Sequence, residues 1–186
     1  MTISTPLIAA CRQGNVEIIN LLVAKEGIDI NLHDNASRMT PIMVAALMGF
    51  VEVVVSPRER WRRHQHYRFH RGSCLGVFAS LRHVDIVKLL LSRPDIDPNF
   101  VAGGGQTALM LACADQEPDV VKLLLDQEKI DVNRQDDNGR TALCKAAYYG
   151  CLESATLLLE RKDTDINISD NDGRTALFRA IYLFFK

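Results

Sequence analysis

A pentapeptide used twice constrains this chain more than any other feature. Gly139-Arg140-Thr141-Ala142-Leu143 returns letter for letter at Gly173-Arg174-Thr175-Ala176-Leu177. Between the copies lie Ala146-Ala147, Leu157-Leu158-Leu159 and Asp165-Ile166-Asn167. A fixed period of about 34 residues, with matching letters at matching offsets, marks a stacked array of supersecondary units. Thr5, Thr40, Ser73, Thr107, Thr141 and Thr175 open successive units, at steps of 35, 33, 34, 34 and 34. The units so defined are 5–39, 40–72, 73–106, 107–140, 141–174 and the partial 175–186. In such an array each unit touches only its neighbours, so the 186 residues need no single central core.

The first unit shows the local logic. Thr5 is suited to cap a helix, and Pro6 suits the first helical position, where its missing N–H is not needed. Small residues follow at Ala9-Ala10-Cys11, which would let a neighbouring helix approach closely, and Gly14-Asn15 ends the helix. Val16 to Lys25 reads as a second helix, too apolar to be left uncovered. Ile28-Asp29-Ile30-Asn31 then reads as an extended arm ahead of the turn residues Asp34-Asn35. Each unit is therefore expected to be helix, turn, helix and a protruding turn.

These residues resemble the ankyrin repeat. The resemblance rests on Thr5-Pro6-Leu7 with Ala9-Ala10, on Thr40-Pro41-Ile42 with Ala45-Ala46, and on the Thr-Ala-Leu starts at Thr107, Thr141 and Thr175. Val84 to Leu91 and Val120 to Leu125 are similar to the family's second helix, and Asn31, Asn99, Asn133 and Asn167 to its late asparagine. One departure is uniform: the histidine of the family's Thr-Pro-Leu-His is replaced by Ile8, Met43, Gly76, Met110, Cys144 and Phe178. The resemblance implies an all-α solenoid with β-turn fingers, five units and a half, with somewhat weaker ties between repeats. It also implies a non-catalytic module or scaffold that binds a protein partner on a concave face of first helices and fingers.

One segment breaks the pattern. From Ser56 to Gly72 the chain reads SPRERWRRHQHYRFHRG, with six arginines, three of the five histidines, the single tryptophan and one acid, Glu59. Taken alone, a basic-aromatic run of this kind suits nucleic acid or an anionic surface. His64, His66 and His70 lack the cysteines or carboxylates that would complete a metal site. The segment replaces a repeat's second half without lengthening the unit. One permitted set of codons for residues 56–72, read from the second base, spells LLESGGADINITDFTG. Its Asp-Ile-Asn falls at the offset of Asp165-Ile166-Asn167, and its last glycine at that of Gly173. A frameshifted repeat is therefore the preferred reading, and the transcript across codons 50–82 decides it. As written, Pro57 and the arginines are incompatible with a buried second helix, so unit two is expected to lose that helix and its finger.

Composition enters as a filter. With 47% apolar and 24% charged residues the chain suits a folded protein, and a net charge of −1 gives the whole molecule no reason to seek nucleic acid. No apolar run approaches the ~20 residues of a membrane helix. Five cysteines without metal-like spacing read as reduced, small core residues, with Cys11 and Cys113 at the offset of Ala147. The cytoplasm is the expected compartment, with the nucleus as the other option. No nucleophile elbow, phosphate loop or metalloprotease helix occurs, so neither an enzyme nor a cofactor or metal is expected. Gly103-Gly104-Gly105 reads as a flexible finger tip. Asp136-Asp137-Asn138 and Asp170-Asn171-Asp172 read as turns and not as calcium ligands.

For binding, the exposed offsets just before the starting threonine and after the Ala-Ala pair carry Arg140, Tyr148, Tyr149, Arg174 and Tyr182. Tyrosine and arginine are over-represented at binding hot spots. The tyrosines could equally pack against neighbouring fingers, and both readings stay open. Residues 181–185, Ile-Tyr-Leu-Phe-Phe, would leave an apolar face with no second helix after it, as expected of part of a longer array or a truncated product. A monomer is expected, with self-association through that face as the alternative. The rival functions are nucleic-acid or acidic-surface binding through 58–71, and service as the targeting part of a larger enzyme or ubiquitin-ligase adaptor.

Overall fold

The computed structural model of the chain describes residues 5–25, 28–29, 32, 40–50, 75–76, 79, 83–92, 96–101 and 103–184. Residues 51–74, with the basic segment 56–72 and Ser73, lie outside these, as do Asn31, Phe78 and Phe185. Among the described residues the regular elements are all helical. They are α1 (Pro6–Gln13), α2 (Val16–Ala24), α3 (Pro41–Leu47), α4 (Val84–Leu91), a 3₁₀ turn (Gly103–Gly105), α5 (Ala108–Ala114), α6 (Pro118–Leu125), α7 (Ala142–Tyr149), α8 (Leu152–Leu159) and α9 (Ala176–Phe184).

The threonines behave as capping chemistry requires. Thr5, Thr40, Thr107, Thr141 and Thr175 each accept, through Oγ1, the backbone N–H three residues on, at 3.2–3.4 Å. Pro6 and Pro118 stand at the first turn of α1 and α6. The turn between the paired helices needs a left-handed residue, supplied by Gly14 and Gly150 at φ of 68 and 70°, and Gly49, after α3, has φ 76°. In unit four Gln116 takes the same place at φ 61°, the one non-glycine with positive φ among the described residues.

Helices of seven to nine residues do not hold by themselves in water. They hold here by stacking in two rows. First helices pack on first helices, α1 on α3, then α5 on α7 on α9, while second helices pack as α4 on α6 on α8. Each second helix also packs on its own first helix, α2 on α1, α6 on α5 and α8 on α7. The pattern of α6 shows why. Val120, Val121, Leu124 and Leu125 fall on one side and are buried, whereas Asp119 and Lys122 are exposed. Burying one such leucine contributes about 2 kcal/mol. The small residues Ala112, Cys113 and Ala146 have no exposed surface, which is what lets the first helices approach. Ile8, Met110 and Cys144, standing where the family has histidine, are buried in the same core, whereas Phe178 is half exposed.

One core position is mismatched. Ser154 on α8 stands at the offset of Val120 on α6, is 1% exposed, and its Oγ has no hydrogen-bond partner. A buried hydroxyl left unpaired is destabilising, and alanine is the better helix former. Ser154→Ala is therefore expected to raise stability by about 1 kcal/mol, read from the urea midpoint at constant m-value. A loss of stability would mean that the hydroxyl is satisfied.

Candidate functional site

The fingers are built by a repeated aspartate device. Asp136 Oδ1 accepts the backbone N–H groups of Asn138 (3.0 Å) and Arg140 (2.9 Å), and the Asp136 N–H donates to the Arg140 carbonyl at 2.9 Å. Asp170 repeats this with Asp172 (2.9 Å) and Arg174 (3.0 Å). Gly139 and Gly173 complete the two turns at φ of 75 and 73°. Each aspartate's second oxygen faces a cation from the following first helix. Lys145 Nζ lies 2.9 Å from Asp136 Oδ2, a close and buried ion pair. Asp170 Oδ2 accepts Arg179 Nε–H at 2.8 Å and also a terminal N–H of the same guanidinium. Burial alone would raise both carboxyls. The backbone N–H groups of Arg140 and Arg174 and the cations Lys145 and Arg179 outweigh it, so both lie below the ordinary aspartate value. The Asp136 carboxylate is thus occupied as a turn-holder.

Adjacent fingers are tied across the repeat by asparagine amides. Asn99 donates through Nδ2 to the Lys129 carbonyl (2.6 Å) and accepts the Asp131 N–H (2.7 Å). Asn133 does the same one unit on, to the Asp163 carbonyl (2.7 Å) and from the Asp165 N–H (2.8 Å). Nearer the tips, the Asn171 N–H donates to the Asn138 carbonyl at 3.0 Å, and the Asp137 N–H to the Gly104 carbonyl at 3.1 Å. The glycine run 103–105, expected as a flexible tip, is thus engaged by the next finger. A Cβ at Gly105 would stand 2.5 Å from the Asp137 nitrogen, so close approach is what that glycine provides.

This frame places the five residues singled out for binding. Tyr148 and Tyr149 close α7 with their rings edge to face, centroids 5.0 Å apart. Tyr148 also lies under the buried Arg179 guanidinium, 5.4 Å from its ring centroid, so it shares in fixing α9 and the finger at Asp170. Tyr149 and Tyr182 are each about half exposed, at 48% and 54%. Arg174 is exposed, 5.9 Å over the Phe178 ring and 3.3 Å from Asp172. Arg140 is half-buried, and its Nε is enclosed without a hydrogen-bond partner. Tyr148 and Tyr149 are therefore brought together, while no described contact joins Arg140 or Arg174 to Tyr149.

Sequence reasoning passed over Lys145 and Arg179. The signal was present: each is a cation nine positions after a finger aspartate, and the two stand one period apart. In the preceding unit the aspartate offset holds Ala102 and the cation offset holds Leu111, so acid and base come and go together.

The described cysteines Cys11, Cys113, Cys144 and Cys151 are free and buried, as small core residues. Burial pushes the Cys11 thiol up to about 12 and raises Cys113 as well. Cys151 donates its S–H to the Cys113 carbonyl at 2.9 Å. Among the described residues no three His, Cys, Asp or Glu side chains are placed to hold a metal ion. Nor is any described helix long and apolar enough to cross a membrane.

A family model for ankyrin repeats, in three copies, matches residues 2–55, 75–170 and 128–183. The stretch it passes over, 56–74, is the one that broke the period in the sequence. Comparison with curated proteins gave no match.

Proposed function

Since the chain belongs to the ankyrin-repeat family, whose members are generally protein–protein interaction modules, we propose that it is a non-catalytic binding module. Its partner is a protein, held in the cytoplasm on the face made by α7, α9 and the fingers before them. The observation that carries this reading is the exposed aromatic row at the ends of the first helices. Tyr149 and Tyr182 present half of their surface to solvent, while Lys145 and Arg179 on the same helices are locked in buried ion pairs. Rigidly backed tyrosines lose little entropy on binding, which is why such residues become hot spots. Tyr148 has a structural share through Arg179, so Tyr149 is the cleaner probe.

Tyr149→Ala is expected to weaken partner binding about tenfold or more and to leave the melting temperature nearly unchanged. To find the partner, a photo-crosslinking residue is placed at Asn138 on the finger, and in a second protein at Thr156 on the exposed side of α8. One protein should be captured from position 138 and not from 156, and its capture should fade with Tyr149→Ala. Capture from 156 alone, or a large fall in melting temperature for Tyr149→Ala, would overturn the assignment.

A further inference from the structure

Two fingers of the array differ at one reactive step. Asp136, Asp137, Asn138, Gly139 and Arg140 align with Asp170, Asn171, Asp172, Gly173 and Arg174. Asn138-Gly139 is the one Asn-Gly step in the chain, and each of the other asparagines precedes a residue with a side chain. Glycine has no Cβ to shield its nitrogen, so that nitrogen can reach the side-chain carbonyl of the asparagine before it. Asn138 is exposed, and among the described residues only its backbone is engaged, by Asp136 and Asn171. The side-chain amides of Asn99, Asn133 and Asn171, by contrast, are held by the Lys129, Asp163 and Asp137 carbonyls.

We propose that Asn138 is a site of spontaneous deamidation, gated by the opening of its own finger. The Gly139 nitrogen attacks Asn138 Cγ and gives up its proton. Ammonia leaves with that proton, and a cyclic succinimide remains. Water then opens the ring at one of its two carbonyls, leaving aspartate or isoaspartate at 138. The closed finger withholds the nucleophile, because Gly139 is buried and its N–H donates to the Asp136 carbonyl at 2.8 Å. Asp136 is itself clamped by Lys145, and Asn171 donates to the carbonyls of Asp137 and Asn138. The reaction therefore waits on local opening of these contacts. The aspartate product has a precedent within the molecule. At the equivalent place Asp172 lies 3.3 Å from Arg174, and Arg140, the equivalent arginine, has an enclosed Nε without a hydrogen-bond partner. The isoaspartate product has no such precedent. Its backbone runs through Cβ, so Asp136 Oδ1 can no longer accept the N–H groups of both 138 and 140.

The full chain is held in mildly alkaline buffer and sampled by trypsin digestion and mass spectrometry. Cleavage after Arg134 and Arg140 releases the peptide 135–140, whose single asparagine is Asn138. Synthetic peptides carrying each product identify the two isomers by retention time. In the folded chain Asn138 should convert ahead of every other asparagine, and in urea it should convert faster still. Lys145→Met should accelerate conversion about fivefold or more, by loosening the clamp on Asp136. Asn171→Ala, a milder change that removes the side-chain bond to the Asp137 carbonyl, should accelerate it about twofold or more while circular dichroism shows a folded array. The proposal is overturned if another asparagine converts ahead of Asn138, or if the folded chain converts as fast as the chain unfolded in urea. It is also overturned if neither variant changes the rate, or if Asn138 keeps its amide in the folded chain and in both variants.

Discussion

Replacing Lys145 by methionine is expected to destabilise the array by about 3–5 kcal/mol. The substitution keeps most of the side chain's length and removes its charge. It leaves Asp136, whose carboxylate is fully buried, facing no cation at Oδ2. Unit five lies between units four and six, with α7 packed on both α5 and α9, so the damage cannot be shed as fraying of an end. The pH dependence identifies the cause. The native Asp136 and Asp170 carboxyls lie below their ordinary values. Their contribution is therefore complete above the unfolded aspartate pKa of about 4, and it is lost as pH falls through the native pKa. In the variant, protonating Asp136 relieves the uncompensated charge. The gap between variant and parent should accordingly be widest at pH 7 and shrink toward pH 4, read from urea midpoints at both pH values. A gap that ignores pH would mean that the lost contribution is the packing of the lysine stem.

Gly139→Ala is the other large loss expected, and Gly173→Ala is its internal control. The two glycines have the same backbone, φ 75 and 73°, so alanine suffers the same left-handed penalty of about 1–2 kcal/mol at either. They differ in what stands beside them. A Cβ at 139 would lie 2.8 Å from the Asn171 nitrogen and 2.5 Å from its Oδ1, whereas nothing lies within 4 Å of one at 173. Forcing the fingers apart adds roughly 1–3 kcal/mol and strains the bond from the Asn171 N–H to the Asn138 carbonyl. Gly139→Ala should therefore lower the urea midpoint at least twice as far as Gly173→Ala. Equal losses would show that the fingers can separate freely and that close approach does not hold the array together.

These two devices mark where reading a sequence stops. Local chemistry was legible. Thr5, Thr107, Thr141 and Thr175 read as helix caps and are caps, Pro118 opens α6, and Val120 to Leu125 carries a buried stripe. These are contacts between residues a few positions apart, and the period multiplies the same evidence across units. The late asparagines were recognised as part of the pattern, but their work was not. Asn99 and Asn133 act on backbone 30 and 32 residues away, and that distance is closed only when units stack.

The candidate site divides in the same way. The sequence alone determined that Arg140 and Arg174 share one offset and Tyr148 and Tyr182 another, with Tyr149 next to it, because offset follows from the period. It also determined that Cys11 and Cys113 suit small core positions. Only the tertiary structure decided that Tyr148 lies under Arg179, that Arg174 turns to Phe178, and that Asp136 and Asp170 are buried anchors. Burial separates Leu143 from Leu177, identical letters in identical pentapeptides, one covered and one open. The physical reason is that capping and helical periodicity are properties of a segment. Burial and charge pairing are properties of whatever is stacked against it.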